Sequence, residues 1–323
     1  MHIVLLEQGE RYIGLEDELK AFPETVLSRA RDPATLAAAM AEAEILITSN
    51  RLYTADNGRI VRANAGKLKW IQFTTSGIDK AQAVGLPSGV VVTNSSGLRA
   101  FAVAEHAFAL MLGLLRRLRE AEDGRRAQEW RRDEISPSTD NLNGKHMVLI
   151  GLGAIGQDIA RKAKAFDMTV TGISRTKDRI PNVDRIRPRD ELQAAAADAD
   201  IVMVAAISDA ETAKILSRAV IGALKPTAYV INIARGEMTD EPALIEALQT
   251  GKIAGAGLDV AVTEPLPAGH PYWTLPNVLL TPHMAGAGGQ GDSHAGFIRI
   301  FMDNLRRWVE KRPLNKVVVE RTP

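Results

Sequence analysis

Cysteine is absent from the 323 residues, so the chain can form neither a disulfide scaffold nor a thiolate nucleophile. A structural zinc site would have to be built from histidine and carboxylates alone. Neither sign of charge is in excess. The 40 Lys and Arg residues stand against 39 Asp and Glu, a balance that offers no basic surface to nucleic acid and no cationic face to a membrane. Long apolar runs are missing as well. Even AVAEHAFALMLGLL carries Glu105 and His106, and no segment approaches the roughly 18 uninterrupted apolar residues of a membrane span. The first residues, MHIVLLEQGERYIG, have no basic region, and their apolar run stops at Glu7. They read as a strand, not a signal peptide, and the cytoplasm is the expected location.

The composition, 46% hydrophobic and 24% charged, is that of a globular chain. At roughly 100 to 200 residues per domain, two domains are expected. Two successive blocks alternate β-branched runs with Ala/Leu-rich segments, the pattern of parallel sheets covered by helices on both faces. In the first block HIVLL (2–6), EILIT (44–48), KWIQF (69–73) and VVVTN (90–94) read as strands. In the second, HMVLIG (146–151), MTVTGI (168–173), DIVMVAA (200–206), YVINIA (229–234), AGLDV (256–260) and NVLLT (277–281) do so, and six strands suffice for a dinucleotide-binding domain. Between the blocks a helix is expected over about 99–119, followed by an arginine-rich segment forming a solvated face or a subunit contact. Residues 295–310 have helical spacing with no strand to follow, and this last helix is expected to return to the first block. There is no internal repeat and no low-complexity tract.

Gly151-Leu152-Gly153-Ala154-Ile155-Gly156 fits G-x-G-x-x-G between an expected strand and an expected helix. The first glycine permits the tight turn, the second lets backbone approach a pyrophosphate, and the third lets helix and strand pack closely. Free N–H groups and the positive end of the helix dipole complete an anion site. Gly151, Gly153, Ala154, Ile155 and Gly156 are therefore the expected cradle of a dinucleotide.

A second absence follows. In NAD sites an acidic residue about 20 positions on accepts hydrogen bonds from the adenosine ribose, yet here TGISRTK supplies Ser174, Arg175 and Thr176 and no carboxylate. A carboxylate would repel a 2′-phosphate, whereas Arg beside two hydroxyls pairs with it through charge-assisted bonds. These three residues read as a 2′-phosphate pocket, so NADP(H) is favoured over NAD(H). Lys177, a flexible ammonium, can equally face solvent.

From about residue 70 to the C-terminus the chain resembles the D-isomer-specific 2-hydroxyacid dehydrogenase family. The resemblance is carried by NLNGKHMVLIGLGAIGQDIA, LKPTAYVINIARGE, AGAGLDVAVTEPLP and HPYWTLPNVLLTPHMAG. It implies an α/β chain of two doubly wound parallel-sheet domains. A Rossmann cofactor domain (100–287) is inserted into a flavodoxin-like substrate domain (1–99 plus 288–323), with the active site in the cleft. It further implies Arg235, Glu264 and His283 as the catalytic set. Reduction of a 2-oxoacid needs a proton donor at the carbonyl oxygen and a cation for the carboxylate. Imidazole titrates nearest working pH and a neighbouring carboxylate favours its charged form, which suits His283 beside Glu264. The permanently charged fork of Arg235 suits a carboxylate and a developing alkoxide. By the same resemblance Ser76 and Gly77 in FTTSGID bind the substrate carboxylate through backbone N–H groups. Asp259 lies near the nicotinamide carboxamide, and Ala234, His283, Ala285 and Gly286 border the cofactor.

One departure concerns the cofactor lip. Where the family commonly has proline, AAISDAET has Ile207, although Glu211 and Thr212 remain; Ile207 and Thr212 are kept as cofactor contacts. His106, mid-helix beside Glu105, is expected to be structural, and His2, His146, His270 and His294 show no metal-ligand spacing, so no metal is expected. The expected activity is NADP(H)-dependent reduction of a small 2-oxoacid to the D-2-hydroxyacid, with glyoxylate or hydroxypyruvate as substrate. Alternatives are an NAD-dependent dehydrogenase for another 2-hydroxyacid and a dinucleotide-sensing, corepressor-like binding protein. Relatives that oxidise formate usually carry Gln at the position of Glu264, which disfavours that chemistry and phosphite oxidation. The resemblance also implies a homodimer through the cofactor domains, with the 99–119 helix and Trp130 as interface elements. No nucleic-acid or membrane partner is expected.

Overall fold

A computed structural model of the protein describes residues 1–9, 12–175, 179–287 and 290–320. The chain divides into two compact units, Met1–Leu98 with Gly289–Pro323, and Arg99–Gly288. The described strands are β1 (His2–Leu6), β2 (Val26–Ala30), β3 (Ile45–Thr48), β4 (Trp70–Phe73), β5 (Val91–Thr93), β6 (His146–Ile150), β7 (Thr169–Ile173), β8 (Arg185–Arg187), β9 (Ile201–Val204), β10 (Tyr229–Asn232), β11 (Gly255–Leu258), β12 (Val278–Leu280) and β13 (Val317–Val319).

The first unit holds a sheet of order β13-β5-β4-β3-β1-β2, parallel except for β13, which pairs antiparallel with β5. The helix Gln290–Val309 belongs to this unit, since Phe297, Phe301, Met302 and Leu305 pack in one core with Ile3, Leu5, Ile45, Ile47 and Trp70. The second unit holds a wholly parallel sheet of order β12-β11-β10-β9-β6-β7-β8. Its central strands are apolar on both faces because both are covered. Val148, Ile150, Val202 and Val204 enter one core, while their neighbours Met147, Leu149, Ile201 and Met203 enter the other. That alternation explains the near-continuous apolar runs. Chain order reverses on either side of β6, which is flanked by β7 and β9, and such a switch point opens a crevice beyond the strands' carboxyl ends.

Three strands depart from the sequence expectation. β2, β8 and β13 each lie at the edge of a sheet, where one flank is uncovered, and VLSRA and RIR accordingly carry polar residues. β13 also corrects the expectation that no strand follows the last helix: its Val317 and Val319 pair with Thr93 and Val92 of β5. The expected helix over 99–119 is two. Ala100–Leu115 ends ahead of Arg117, which sits in the left-handed region at φ +55° and caps a new helix, Leu118–Ala127. Part of the arginine-rich segment is thus helical, with Glu122 pairing to Arg125 and Arg126 one turn on. The Arg125 hydrogen bond above all holds the Glu122 carboxyl down, to about 2. Among the described residues no helix is long and apolar enough to cross a membrane.

Candidate active site

The glycine loop follows β6 directly. Gly151 has φ +96°, and a Cβ there would lie 2.5 Å from the Cα of Ala206. A Cβ on Gly156 would lie 2.0 Å from the Gly151 carbonyl oxygen, so these two glycines are required by the backbone itself. Gly153 differs: a Cβ would meet no atom within 4 Å. It caps the helix Ala154–Ala165 without any side-chain cap, which leaves first-turn N–H groups for an anion. Gly153 and Ala154 are exposed and Ile155 half-buried. The donor set and the open approach at Gly153 fit the pyrophosphate of a dinucleotide.

Ser174 follows β7, its N–H donating to the Arg187 carbonyl at 3.1 Å. Next to it Arg175 is exposed and lies 3.4 Å from a carboxylate oxygen of Glu211, while Arg189, beyond the edge strand β8, lies 3.0 Å from the same oxygen. The tract itself has no carboxylate, but the fold brings one from a distant loop together with a second arginine. Sequence reading missed Arg189 because β8 has no strand signal of its own. Thr176 lies outside the described residues. Ile207 is 83% exposed, on the surface of its loop. Thr212 is buried, and its hydroxyl donates to the Ile207 carbonyl at 2.9 Å. Its side chain therefore shapes that loop from within.

The expected catalytic residues all lie in the second unit. Arg235 follows β10 in a turn clamped by buried Asn232, whose amide donates to the Arg235 carbonyl at 2.9 Å and accepts from the Ala234 N–H at 3.0 Å. A Cβ on Gly236 would fall 2.0 Å from the Ala261 carbonyl carbon, so this turn packs directly on the segment that leads to Glu264. From there the Ala261 N–H donates to Glu264 Oε1 at 3.2 Å, and Glu264 Oε2 lies 2.6 Å from His283 Nδ1. An ionised carboxylate only accepts, so Nδ1 carries the proton and Nε2 is the nitrogen left to react. The Arg235 guanidinium also donates to the Ala234 carbonyl at 2.7 Å.

His283 sits at φ +52°, in the left-handed region, an unfavourable place for a residue with a Cβ. The turn is held there by Asp259, buried at the end of β11. Asp259 offers its carbonyl to the His283 N–H at 2.7 Å. Its carboxylate accepts from the Thr281 hydroxyl (2.6 Å), the Met284 N–H (2.9 Å) and the Ala285 N–H (2.8 Å). Ala285 is buried and Gly286 half-buried. Thr281 also lies 2.8 Å from His106 Nε2, a contact that mid-helix spacing cannot reveal. Among the described residues no group of three or more His, Cys, Asp or Glu could hold a metal ion.

Ser76 and Gly77 belong to the first unit, in the turn after β4. Asn94 Nδ2 donates to the Ser76 carbonyl at 2.6 Å and Thr75 Oγ1 to the Gly77 carbonyl at 2.9 Å. Their own N–H groups donate to no described residue.

The sequence profile described as "D-isomer specific 2-hydroxyacid dehydrogenase, NAD binding domain" matches residues 108–285. A glyoxylate reductase of Pyrococcus furiosus is 37% identical over 204 residues, which are 62% of this chain but only 60% of that enzyme. A hydroxyphenylpyruvate reductase of Plectranthus scutellarioides is 35% identical over 78% of this chain and 79% of its own length. Among solved structures, the NADPH-dependent glyoxylate/hydroxypyruvate reductase of Sinorhizobium meliloti, in complex with NADP and malonate, is 30% identical. It superposes with a TM-score of 0.76, covering 99% of this chain and 97% of that one. With the glycine loop, the Glu264–His283 pair and two parallel-sheet units already in place, these matches make the chain a member of the D-isomer specific 2-hydroxyacid dehydrogenase family of NAD(P)-dependent oxidoreductases.

Proposed function

We propose that the chain reduces a small 2-oxoacid, glyoxylate or hydroxypyruvate, to the D-2-hydroxyacid and favours NADP(H) over NAD(H). In this reading the unit Arg99–Gly288 binds the dinucleotide. Gly151, Gly153, Ala154, Ile155 and Gly156 hold its pyrophosphate, and Ser174, Arg175 and Thr176 its 2′-phosphate. Ile207, Ala234, Asp259, Ala285 and Gly286 border the rest of it, and Thr212 acts through the Ile207 loop. When bound, the cofactor supplies the hydride. The chain's own residues manage charge and protons. The Arg235 guanidinium and the Ser76 and Gly77 N–H groups take the substrate carboxylate, and Arg235 also faces the developing alkoxide. His283 gives the proton on Nε2 to the carbonyl oxygen, while Glu264 keeps Nδ1 protonated and stabilises the imidazolium before transfer.

The observation that carries the reading is the 2.6 Å contact between Glu264 and His283 Nδ1, because it holds the proton on Nδ1, leaves Nε2 as the nitrogen that takes up and gives the reacting proton, and places a carboxylate where it stabilises the imidazolium. The NADP(H) preference rests on Arg175 and on the lack of a carboxylate after β7. A relative named NADPH-dependent glyoxylate/hydroxypyruvate reductase supports both cofactor and substrate. The reading includes a homodimer in the cytoplasm, where an NADPH pool favours reduction; cell fractionation that finds the protein elsewhere removes the compartment. The deciding experiment is a panel of 2-oxoacids, with 4-hydroxyphenylpyruvate included because of the plant relative's name, assayed with NADPH and NADH. No turnover on any 2-oxoacid refutes the activity, and a higher kcat/KM with NADH refutes the cofactor preference.

A further inference from the structure

The helix Ala100–Leu115 lies against β11 and β12. Gly257 on β11 has no room for a Cβ, which would stand 2.9 Å from Leu110 Cβ, and a Cβ on Gly113 would stand 2.7 Å from Leu279 on β12. These two close approaches fix the register of helix on sheet. His106 is one turn before Leu110, about 6 Å along the axis. Asp259 is two residues past Gly257, about 6.6 Å along the strand. The matching rises bring the imidazole to the strand ends, where Leu258 pairs with Leu280 and Asp259 and Thr281 are the next residues of each chain segment.

The protons in this cluster can be assigned. Thr281 has one hydroxyl hydrogen, and the 2.6 Å bond to the Asp259 carboxylate uses it, because an ionised carboxylate only accepts. At 2.8 Å from His106 Nε2, Thr281 must then accept, so Nε2 of His106 bears a hydrogen. The same nitrogen is 3.5 Å from Asp259 Oδ1. The side chains of His106 and Asp259 are 17% and 2% exposed, so water does little of this work. One carboxylate thus receives Thr281, the Met284 N–H and the Ala285 N–H, and the imidazole fixes Thr281 from behind. The segment so tied is the turn that keeps His283 at φ +52°.

We infer that His106 is a positioning residue for His283, acting through Thr281 and Asp259 on the strained turn and not on substrate or cofactor. The inference rests on the proposed role of His283. Loss of the His106 N–H leaves Thr281 free to turn its hydroxyl away from Asp259 and the His283 turn free to relax. Misplacing a reacting group by about 1 Å costs on the order of a hundredfold in rate.

The test uses the full chain carrying His106→Leu, His106→Gln and Thr281→Val. The expected result is a fall in kcat of tenfold or more for His106→Leu and Thr281→Val, with the KM for the 2-oxoacid within about twofold. His106→Gln, whose amide can donate to Thr281, recovers a large part of kcat. Nuclear magnetic resonance of the His283 imidazole gives a reading independent of turnover: its signals shift in His106→Leu and return towards wild type in His106→Gln. A kcat for His106→Leu within twofold of wild type with unmoved His283 signals overturns the inference. So does a loss that merely tracks the folded fraction by circular dichroism, or a Gln variant no better than Leu. If His283→Ala is inactive while His106→Leu behaves as wild type, the inference fails and the proposed function stands; if His283→Ala keeps its rate, the proposed function fails.

Discussion

At the scale of single residues, charge and proton placement decide what the site can do. His283 and Glu264 are respectively 46% and 38% exposed along their side chains, so their 2.6 Å bond matters less for stability than for orientation, since exposed pairs contribute little to folding. In the proposed mechanism, replacing the acid removes the step. His283→Ala is expected to lower kcat by about 10² to 10⁴, with unfolding by urea essentially unchanged, and Glu264→Gln, which keeps an acceptor for Nδ1 but loses the charge, by less. A variant with near wild-type kcat at His283 ends the mechanism. In the proposed reading Arg175 decides between cofactors. It is paired to Glu211 at 3.4 Å in a largely exposed contact, which a phosphate can outcompete, because charge-assisted bonds to phosphate are the stronger kind. Arg175→Ala is expected to lower kcat/KM with NADPH by about tenfold or more and to leave NADH within twofold. Equal losses with both cofactors mean that Arg175 does not read the 2′-phosphate.

At the scale of elements, the last helix shows how the sequence distributes one core over distant segments. Phe301 is fully buried and stacks on Trp70 with ring centroids 5.4 Å apart. Trp70 Nε1 donates to Thr93 Oγ1 at 2.7 Å, Thr93 in turn bonds Gln72, and Asn304 of the helix reaches Gln72 at 3.4 Å. Phe301→Ala is expected to destabilise the protein by about 3 to 5 kcal/mol, measured as a lower urea midpoint at unchanged slope; a loss below about 1 kcal/mol means that the helix does not share the core of β1, β3 and β4. The helix was legible from its periodicity, and so were the covered strands, because both faces of VLI, IVMV or YVIN meet apolar neighbours. β2 and β8 were not, because these edge strands, VLSRA and RIR, carry polar residues, and β13 was not, because three valines are too short a run to stand out. The same division holds in the site. Gly151, Gly156, Glu264 and His283 stand in recognisable strings that follow strands, whereas His106 and Arg189 acquire their partners only through the register of a helix on a sheet and the pairing of an edge strand. No local pattern encodes either.

At the scale of the whole molecule the open question of physics is what covers the large apolar side chains of the second unit. Trp130 is 93% exposed, Leu118 56% and Phe101 47%. Trp130 follows the helix Leu118–Ala127, whose Glu122, Arg125 and Arg126 satisfy one another and so give no reason for a hydrophobic ring to stand in water beside them. Buried tryptophan is among the commonest energetic anchors of protein interfaces, and a partner surface explains the exposure of all three. The proposed homodimer supplies one, and a stable pair is expected to bury about 1,600 Å² in total. At micromolar concentration light scattering should give twice the mass of the 35.0 kDa chain. Trp130→Glu puts a charge where the proposed dimer would bury the ring. If Trp130 is an anchor worth about 2 kcal/mol or more, the variant weakens association at least thirtyfold and moves the mass towards the monomer at the same concentration. The Glu264–His283 pair comes from a single chain and is not dismantled by that change, so circular dichroism and cofactor binding separate loss of the dimer from loss of the fold. A monomeric wild type, or a Trp130→Glu variant that remains dimeric at nanomolar concentration, means that the exposed tryptophan has a different partner.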